Sequence, residues 1–481
     1  EGMYREPFGA VQMGSTVSLA IDVWDEPDAR CSLRLWTDEK GEELIDMVGE
    51  RMDGFLRFSV SFSPEGPEII WYSFRITAAD GSVWRYGAAC EHGCGEGAFV
   101  FGEPPSFQIT VYDPEREIIP EWYKRGVVYQ IFPDRFARGK GWREQVEADM
   151  ARPYTGPTRR LVEDWDAYPR YEKDASGRIA AWDFYGGTLE GIREKLPYLE
   201  GLGITIIYLN PIFSAASNHR YDTADYLHID AALGTEEDFS RLCADAASHG
   251  ISIILDGVFN HVGADSIYFN RAGIYPDLGA YQGENSLYRS WFTFNEDGSY
   301  ESWWGIDDLP AVREDCPEFR ELICGHDGVV RKWLRLGARG WRLDVADELS
   351  DEFLRDIKSA ALAEREDAVI IGEVWEDATN KYAYGTLRRY FQGGELDGTM
   401  NYPLRRAILR YLTGEATAGE FVNKMESLYE NYPRENFMSE LNLLGSHDRI
   451  RLLTILGNAP RARDLDDEQR YRYRLSDGQH S

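Results

Sequence analysis

The chain has 481 residues, 43% of them hydrophobic, with 14 Trp, 28 Tyr and 22 Phe, so it can fill large cores and is neither disordered nor fibrous. A formal charge of −31 repels nucleic acid and anionic membrane surfaces and suits a neutral substrate. No apolar run approaches the roughly 20 residues that span a bilayer. A cytoplasmic location is favoured, and secretion stays open because the chain begins Glu1-Gly2 rather than with Met.

Residues 1–112 carry short alternating apolar and polar segments, among them Val17–Val23, Cys31–Trp36, Phe55–Phe62 and Ile69–Ile76, separated by turn signals such as Asp80-Gly81. This spacing predicts an N-terminal antiparallel β-sandwich. Its tryptophans (Trp24, Trp36, Trp71, Trp84) are assigned to core packing in preference to sugar stacking. The six cysteines are scattered, and Cys90-Glu-His-Gly-Cys94 reads as a surface loop with free thiols rather than a metal clip. Pro104-Pro105 and Asp113-Pro114 mark the exit from this domain.

Over 113–481 the pattern changes to short apolar runs alternating with helical stretches. The runs are 127–132, 204–209, 251–255, 340–345, 368–372 and 441–444, with a weaker strand near 396–400. Near-continuous apolar strands between amphipathic helices predict a parallel sheet buried on both faces, closed as a (β/α)8 TIM barrel. Inserts at about 137–185 and 262–312 interrupt it, the second rich in Tyr and Trp, including Tyr268, Trp291, Trp303 and Trp304. Barrels build substrate clefts from such loops.

Functional groups recur where these strands end: Asp256 and His261, then Arg342 and Asp344, then Glu373, then His447 and Asp448. In a parallel barrel those ends converge on one face. Carboxylates, an Arg and two His beside aromatic loops suit glycoside cleavage, which needs an ionised carboxylate nucleophile and a protonated carboxylic acid. Arg342, two residues before Asp344, is expected to keep Asp344 ionised. Apolar Val374 and Trp375 are expected to raise the Glu373 pKa and give it the acid role. Each feature alone has an ordinary structural explanation; four on successive strand ends do not.

The four segments resemble the conserved regions of the α-amylase family of retaining glycoside hydrolases. Tyr129-Gln-Ile-Phe-Pro-Asp-Arg-Phe136 and Ser217-Asn-His-Arg-Tyr-Asp-Thr-Ala-Asp-Tyr226 extend the match, and the N-terminal sandwich points to the neopullulanase, cyclomaltodextrinase and maltogenic amylase branch. The resemblance implies Asp344 as nucleophile, Glu373 as general acid/base and Asp448 as transition-state stabiliser. It implies Tyr221, His261, Arg342, Trp375 and His447 as substrate-binding residues, and Asp256 as a structural support. The expected activity is hydrolysis of α-1,4 and α-1,6 links in maltooligosaccharides, cyclodextrins, pullulan or starch. A glucosyltransferase using the same site, and a non-catalytic glucan-binding protein, are the alternatives. The expected partner is the α-glucan itself, with homodimerisation implied for the full-length protein and no nucleic acid or membrane partner.

Three departures from the family pattern stand out. The loop Ala137-Arg-Gly-Lys-Gly-Trp142, with Thr188 where Asp is common, offers cations where family members hold calcium, so no cofactor is required and the structural Ca²⁺ site is expected to be absent. Asp347 and Arg449 stand where Asn and Thr are frequent. After Asp448 the family's eighth strand and C-terminal β-domain are missing, so the barrel is expected to be truncated and the chain to fold poorly alone.

Overall fold

The computed structural model describes residues 2–89, 96–100, 102–115, 118–152, 154, 156–170 and 172–457. The Cys90 and Cys94 loop and the tail from 458 onward therefore lie outside the described residues. The chain divides into two compact units, Glu1–Ile119 with Val374–Leu443, and Pro120–Glu373 with Leu444–Ser481.

In the first unit, Arg5–Glu6, Val17–Trp24, Phe55–Phe62 and Val48–Arg51 form one antiparallel sheet. A second sheet is built around Glu68–Thr77, which pairs antiparallel with Arg30–Thr37, Val83–Ala88 and Phe107–Tyr112. The two-residue period sets the core: Val17, Leu19, Ile21 and Val23 all point inward, against Leu33, Ile109 and Val111. The same parity sends Trp24 outward. Trp24, Trp36 and Trp84 are 59%, 38% and 40% exposed, and Trp71 is half-buried, which corrects the assignment of these tryptophans to the core. Phe58, Tyr72, Phe74 and Phe107 supply its rings instead.

This unit also holds the helices Tyr402–Leu412 and Ala418–Asn431. The strands expected near 396–400 and 441–444 are reduced to Gly398–Thr399 and a parallel bridge between Met400 and Leu441. Gly398 fits because a Cβ there would come 2.3 Å from the Ser439 carbonyl oxygen.

In the second unit, Val128–Ile131, Ile206–Leu209, Ser252–Gly257, Gly340–Leu343 and Val369–Gly372 pair in parallel in chain order. Every residue of the last four strands is buried, as a sheet covered on both faces requires. The crossover helices Glu236–Ser248 and Asp351–Glu364 start on Thr235 and Ser350, whose hydroxyls accept backbone N–H groups. The first insert contains the helix Trp142–Met150 and a small parallel pair, Thr158–Leu161 with Ala181–Phe184. The second is held by ring packing, with Phe269 against Phe292 and Tyr300, and Tyr268 against Trp291. Among the described residues no helix is long and apolar enough to cross a membrane.

Candidate active site

Strand register builds the centre of the site. Asp256 lies beside Arg342 across adjacent strands, and Leu343 beside Gly372, so the next residues, Asp344 and Glu373, leave the sheet together. Arg342 is 1% exposed. Its Nη1 donates to Asp256 Oδ1 at 2.7 Å and to Asp344 Oδ1 at 2.8 Å, and its Nη2 lies 3.0 Å from Glu373 Oε2. Glu373 Oε2 also accepts the Val345 N–H at 3.0 Å. That donor is aimed by an unusual backbone: Val345 has φ 41° and ψ 53°, left-handed values that a β-branched residue rarely adopts and that cluster at functional sites.

One guanidinium thus serves three carboxylates. Burial, with the charges of Glu373 and Asp256, pushes the Asp344 carboxyl well above the usual range, against the pull of Arg342. Burial likewise raises Asp256. The expected charge-assisted hydrogen bond from Arg342 to Asp344 is present, and two further carboxylates compete for the same cation. Glu373 faces Arg342 and a backbone N–H, in a cluster whose carboxylates outnumber its cation.

Asp256 is saturated by its neighbours. Its Oδ2 accepts from the Tyr208 hydroxyl at 2.5 Å and the Tyr221 hydroxyl at 2.8 Å. Tyr221 Oη in turn accepts from Asn210 Nδ2 at 2.9 Å and lies 2.8 Å from His447 Nε2, with the two rings stacked at 5.4 Å. Gln130 Nε2 donates to His447 Nδ1 at 2.6 Å, which puts the single imidazole proton on Nε2. Asp448, exposed, lies 3.2 Å from that same Nε2. Burial pushes both His447 and His261 down to about 4, so both rings are neutral near pH 7. His261 is 1% exposed and stacks on Trp303.

The structure therefore joins Asp344, Glu373, Arg342, Tyr221, His447 and Asp448 in one connected network, with His261 in the same unit. Trp375 belongs to the other unit, where its ring stacks on Tyr402 at 4.7 Å. Gln130, Asn210 and Tyr208 are members of the network that sequence reasoning misses. Their signal is a polar group within or just after an apolar strand, which is weak because edge positions also carry such residues.

Beside the first parallel strand, where the family pattern places calcium, Arg138 supplies a cation of its own. Its Nε donates to the Tyr185 carbonyl at 2.8 Å, Nη1 to Glu163 at 3.1 Å and Nη2 to Val162 at 2.6 Å. The guanidinium lies 4.0 Å from the Trp142 ring centroid and 5.1 Å from that of Trp165. Thr188 caps its own helix and accepts the Gly139 N–H. Carbonyls already holding a guanidinium do not fit a Ca²⁺ ion, and among the described residues no group of three or more His, Cys, Asp or Glu could hold a metal.

Comparison with known proteins gives a consistent picture. The family model described as alpha amylase, catalytic domain, matches residues 130–470. An amylopullulanase of Thermoanaerobacterium saccharolyticum is 36% identical over 94% of this chain, and the chain spans 38% of that protein's length. Neopullulanase 2 of Thermoactinomyces vulgaris is 37% identical over 70% of the chain and 52% of its own length. Among solved structures, the type III pullulan hydrolase from Thermococcus kodakarensis matches with a TM-score of 0.59 and 26% identity, over 94% of this chain and 73% of that one. The chain thus covers well under two thirds of the amylopullulanase and of the neopullulanase.

Proposed function

Because the chain belongs to the α-amylase family, we propose that the protein containing it is a retaining α-glucan hydrolase acting on α-1,4 and α-1,6 glucosidic bonds. The observation that carries this reading is the single buried Arg342 holding both Asp344 and Glu373, within a cluster whose carboxylates outnumber its cation.

The chemistry follows from that imbalance. The cluster shares a proton, and the productive form is the one with that proton on Glu373 and with Asp344 ionised. Asp344 attacks the anomeric carbon as Glu373 gives its proton to the leaving glycosidic oxygen, forming a β-glycosyl ester on Asp344. Glu373, now ionised, takes a proton from water, the resulting hydroxide breaks the ester, and Asp344 is freed as carboxylate. Arg342 compensates whichever carboxylate carries the charge. The Nε2–H of neutral His447 and the Asp448 carboxylate offer a donor and an acceptor to sugar hydroxyls, and Asp448 opposes the developing oxocarbenium charge. The names of the amylopullulanase, neopullulanase and pullulan hydrolase relatives support pullulan as a substrate.

Glu373→Gln in the full-length protein tests the reading. Turnover of maltotriose, cyclodextrin, pullulan and starch is expected to fall by at least about 1,000-fold, with glucan binding largely retained. Undiminished turnover overturns it.

A further inference from the structure

Trp304 is an unusual residue to find where it is. It is 75% exposed and has φ 52° and ψ 27°, so a bulky side chain sits in backbone space that favours glycine. Gly305, the next residue, also has a positive φ, 74°. The turn would be easier to build with glycine at both positions, yet it displays an indole.

That indole is fixed rather than loose. Its ring stacks on Trp303, with centroids 5.0 Å apart and planes 20° from parallel. Trp303 stacks in the same manner on His261, at 5.1 Å and 25°. Trp304 Nε1 donates to Glu348 Oε1 at 3.1 Å. Glu348 ends the turn Ala346–Glu348 that follows directly on Asp344 and Val345. Two independent ties, a ring ladder to His261 and a hydrogen bond to the nucleophile's own loop, therefore set the position of an exposed tryptophan face.

We propose that Trp304, backed by Trp303, is a platform for an α-glucan ring lying outside the cleavage pocket, an inference that rests on the glucan-hydrolase reading above. A flat indole offers an apolar face to the C–H face of a pyranose. The exposed carboxylates nearby in the chain, Glu301, Asp307 and Asp308, repel anions and accept from hydroxyls, which suits a neutral polyol. A ring bound there belongs to a chain long enough to extend beyond the pocket.

The test uses the full-length protein carrying Glu373→Gln, so that sugars bind without turnover, titrated with maltotriose and with maltoheptaose. Trp304→Gly is expected to weaken maltoheptaose binding by about fivefold or more, and maltotriose by less than about twofold. Trp304→Phe, which keeps a ring, is expected to restore most of the difference. Trp304→Gly should melt at the parent temperature or higher, because glycine relieves the left-handed backbone, and this separates lost binding from lost folding. Unchanged maltoheptaose affinity overturns the platform while leaving the hydrolase reading intact. Equal losses for both sugars overturn it as well, since they would place Trp304 in the cleavage pocket. A parent that binds neither sugar overturns both. With active enzyme the same substitution should raise KM for soluble starch rather than lower kcat.

Discussion

Two buried arginines, one in each unit, show how differently a fold can balance an internal cation. Arg5 is 5% exposed and faces one carboxylate, Glu430 at 2.7 Å, with the Gln108 and Gly9 carbonyls taking further N–H groups. Arg342 is 1% exposed and faces three carboxylates. The first arrangement is close to neutral and ties a strand to a helix within its unit. The second gathers more carboxylates than cations in a buried place, the setting in which carboxyl groups share a proton.

Substitution separates the two. Arg342→Met leaves three buried carboxylates without their cation. The expected result is at least a 1,000-fold loss of turnover, on the order of ~4 kcal/mol in the barrier, with a lowered melting temperature. Neutralising any one carboxylate in the same protein should recover little. Arg5→Met is expected to cost about 3–5 kcal/mol of stability, because Glu430 loses its buried ion partner. Adding Glu430→Gln should recover more than half of that, because it removes the charge left uncompensated. Denaturant titration and steady-state kinetics on the two series check this. A stable, active Arg342→Met protein would erase the distinction.

Glu440 sharpens the comparison, being a buried carboxyl that pairs with hydroxyl and amide groups rather than with a cation. Its oxygens lie 2.8 Å from the Thr399 backbone nitrogen and 2.8 Å from the Thr399 hydroxyl. Burial, with Asp377 nearby, pushes it up to about 8. The folded value lies above the unfolded one. The contribution to stability is therefore fully present below about pH 4.5 and lost as pH rises to about 8, at up to ~1.4 kcal/mol per pH unit in that window. Glu440→Gln can keep both hydrogen bonds and carries no charge, so its stability should exceed the parent's at pH 8 and show a flatter pH dependence. Parallel pH curves for the two proteins would mean that Glu440 is ionised in the fold.

Much of the reactive cluster is legible in the sequence because it rests on local rules. Five apolar runs of strand length locate the paired parallel strands, whereas the runs near 396–400 and 441–444 give only Gly398–Thr399 and a bridge, and the polar residues after Gly340–Leu343 and Val369–Gly372 locate two strand ends. Hence Asp344 and Glu373, 29 positions apart in sequence, can be placed together from the strand pattern alone. What stays hidden depends on backbone angles or on distant pairings. No residue pattern announces left-handed φ at Val345 or Trp304, since neither is glycine or asparagine. Arg5 and Glu430 are 425 positions apart and lie on elements whose own periodicity gives no hint of the pair. The outward tryptophans of the sandwich are misplaced when aromatic bulk is weighed above strand parity, and parity decides the face.

Arg138 completes the series as a guanidinium held by three backbone carbonyls. A divalent ion at this place would bring two charges and a demand for about six oxygen ligands. Arg138 brings one charge and five directed N–H groups, and it is attached to the chain, so it cannot be removed by chelation. Two outcomes follow. Adding EDTA, or Ca²⁺ after EDTA, should shift the melting temperature by less than about 1 °C, because an ion that does not bind the fold cannot stabilise it by mass action. Arg138→Ala should lower it by roughly 4–8 °C, taking about 2 kcal/mol for the three lost hydrogen bonds. Arg138→Lys should recover only part, since an ammonium lacks the planar spread of donors that reaches Tyr185, Glu163 and Val162 together. A large calcium-dependent rise in melting temperature for the parent protein would mean that the Arg138 side chain yields its carbonyls to a metal. Arg138 would then be a gate to a cation site rather than its replacement.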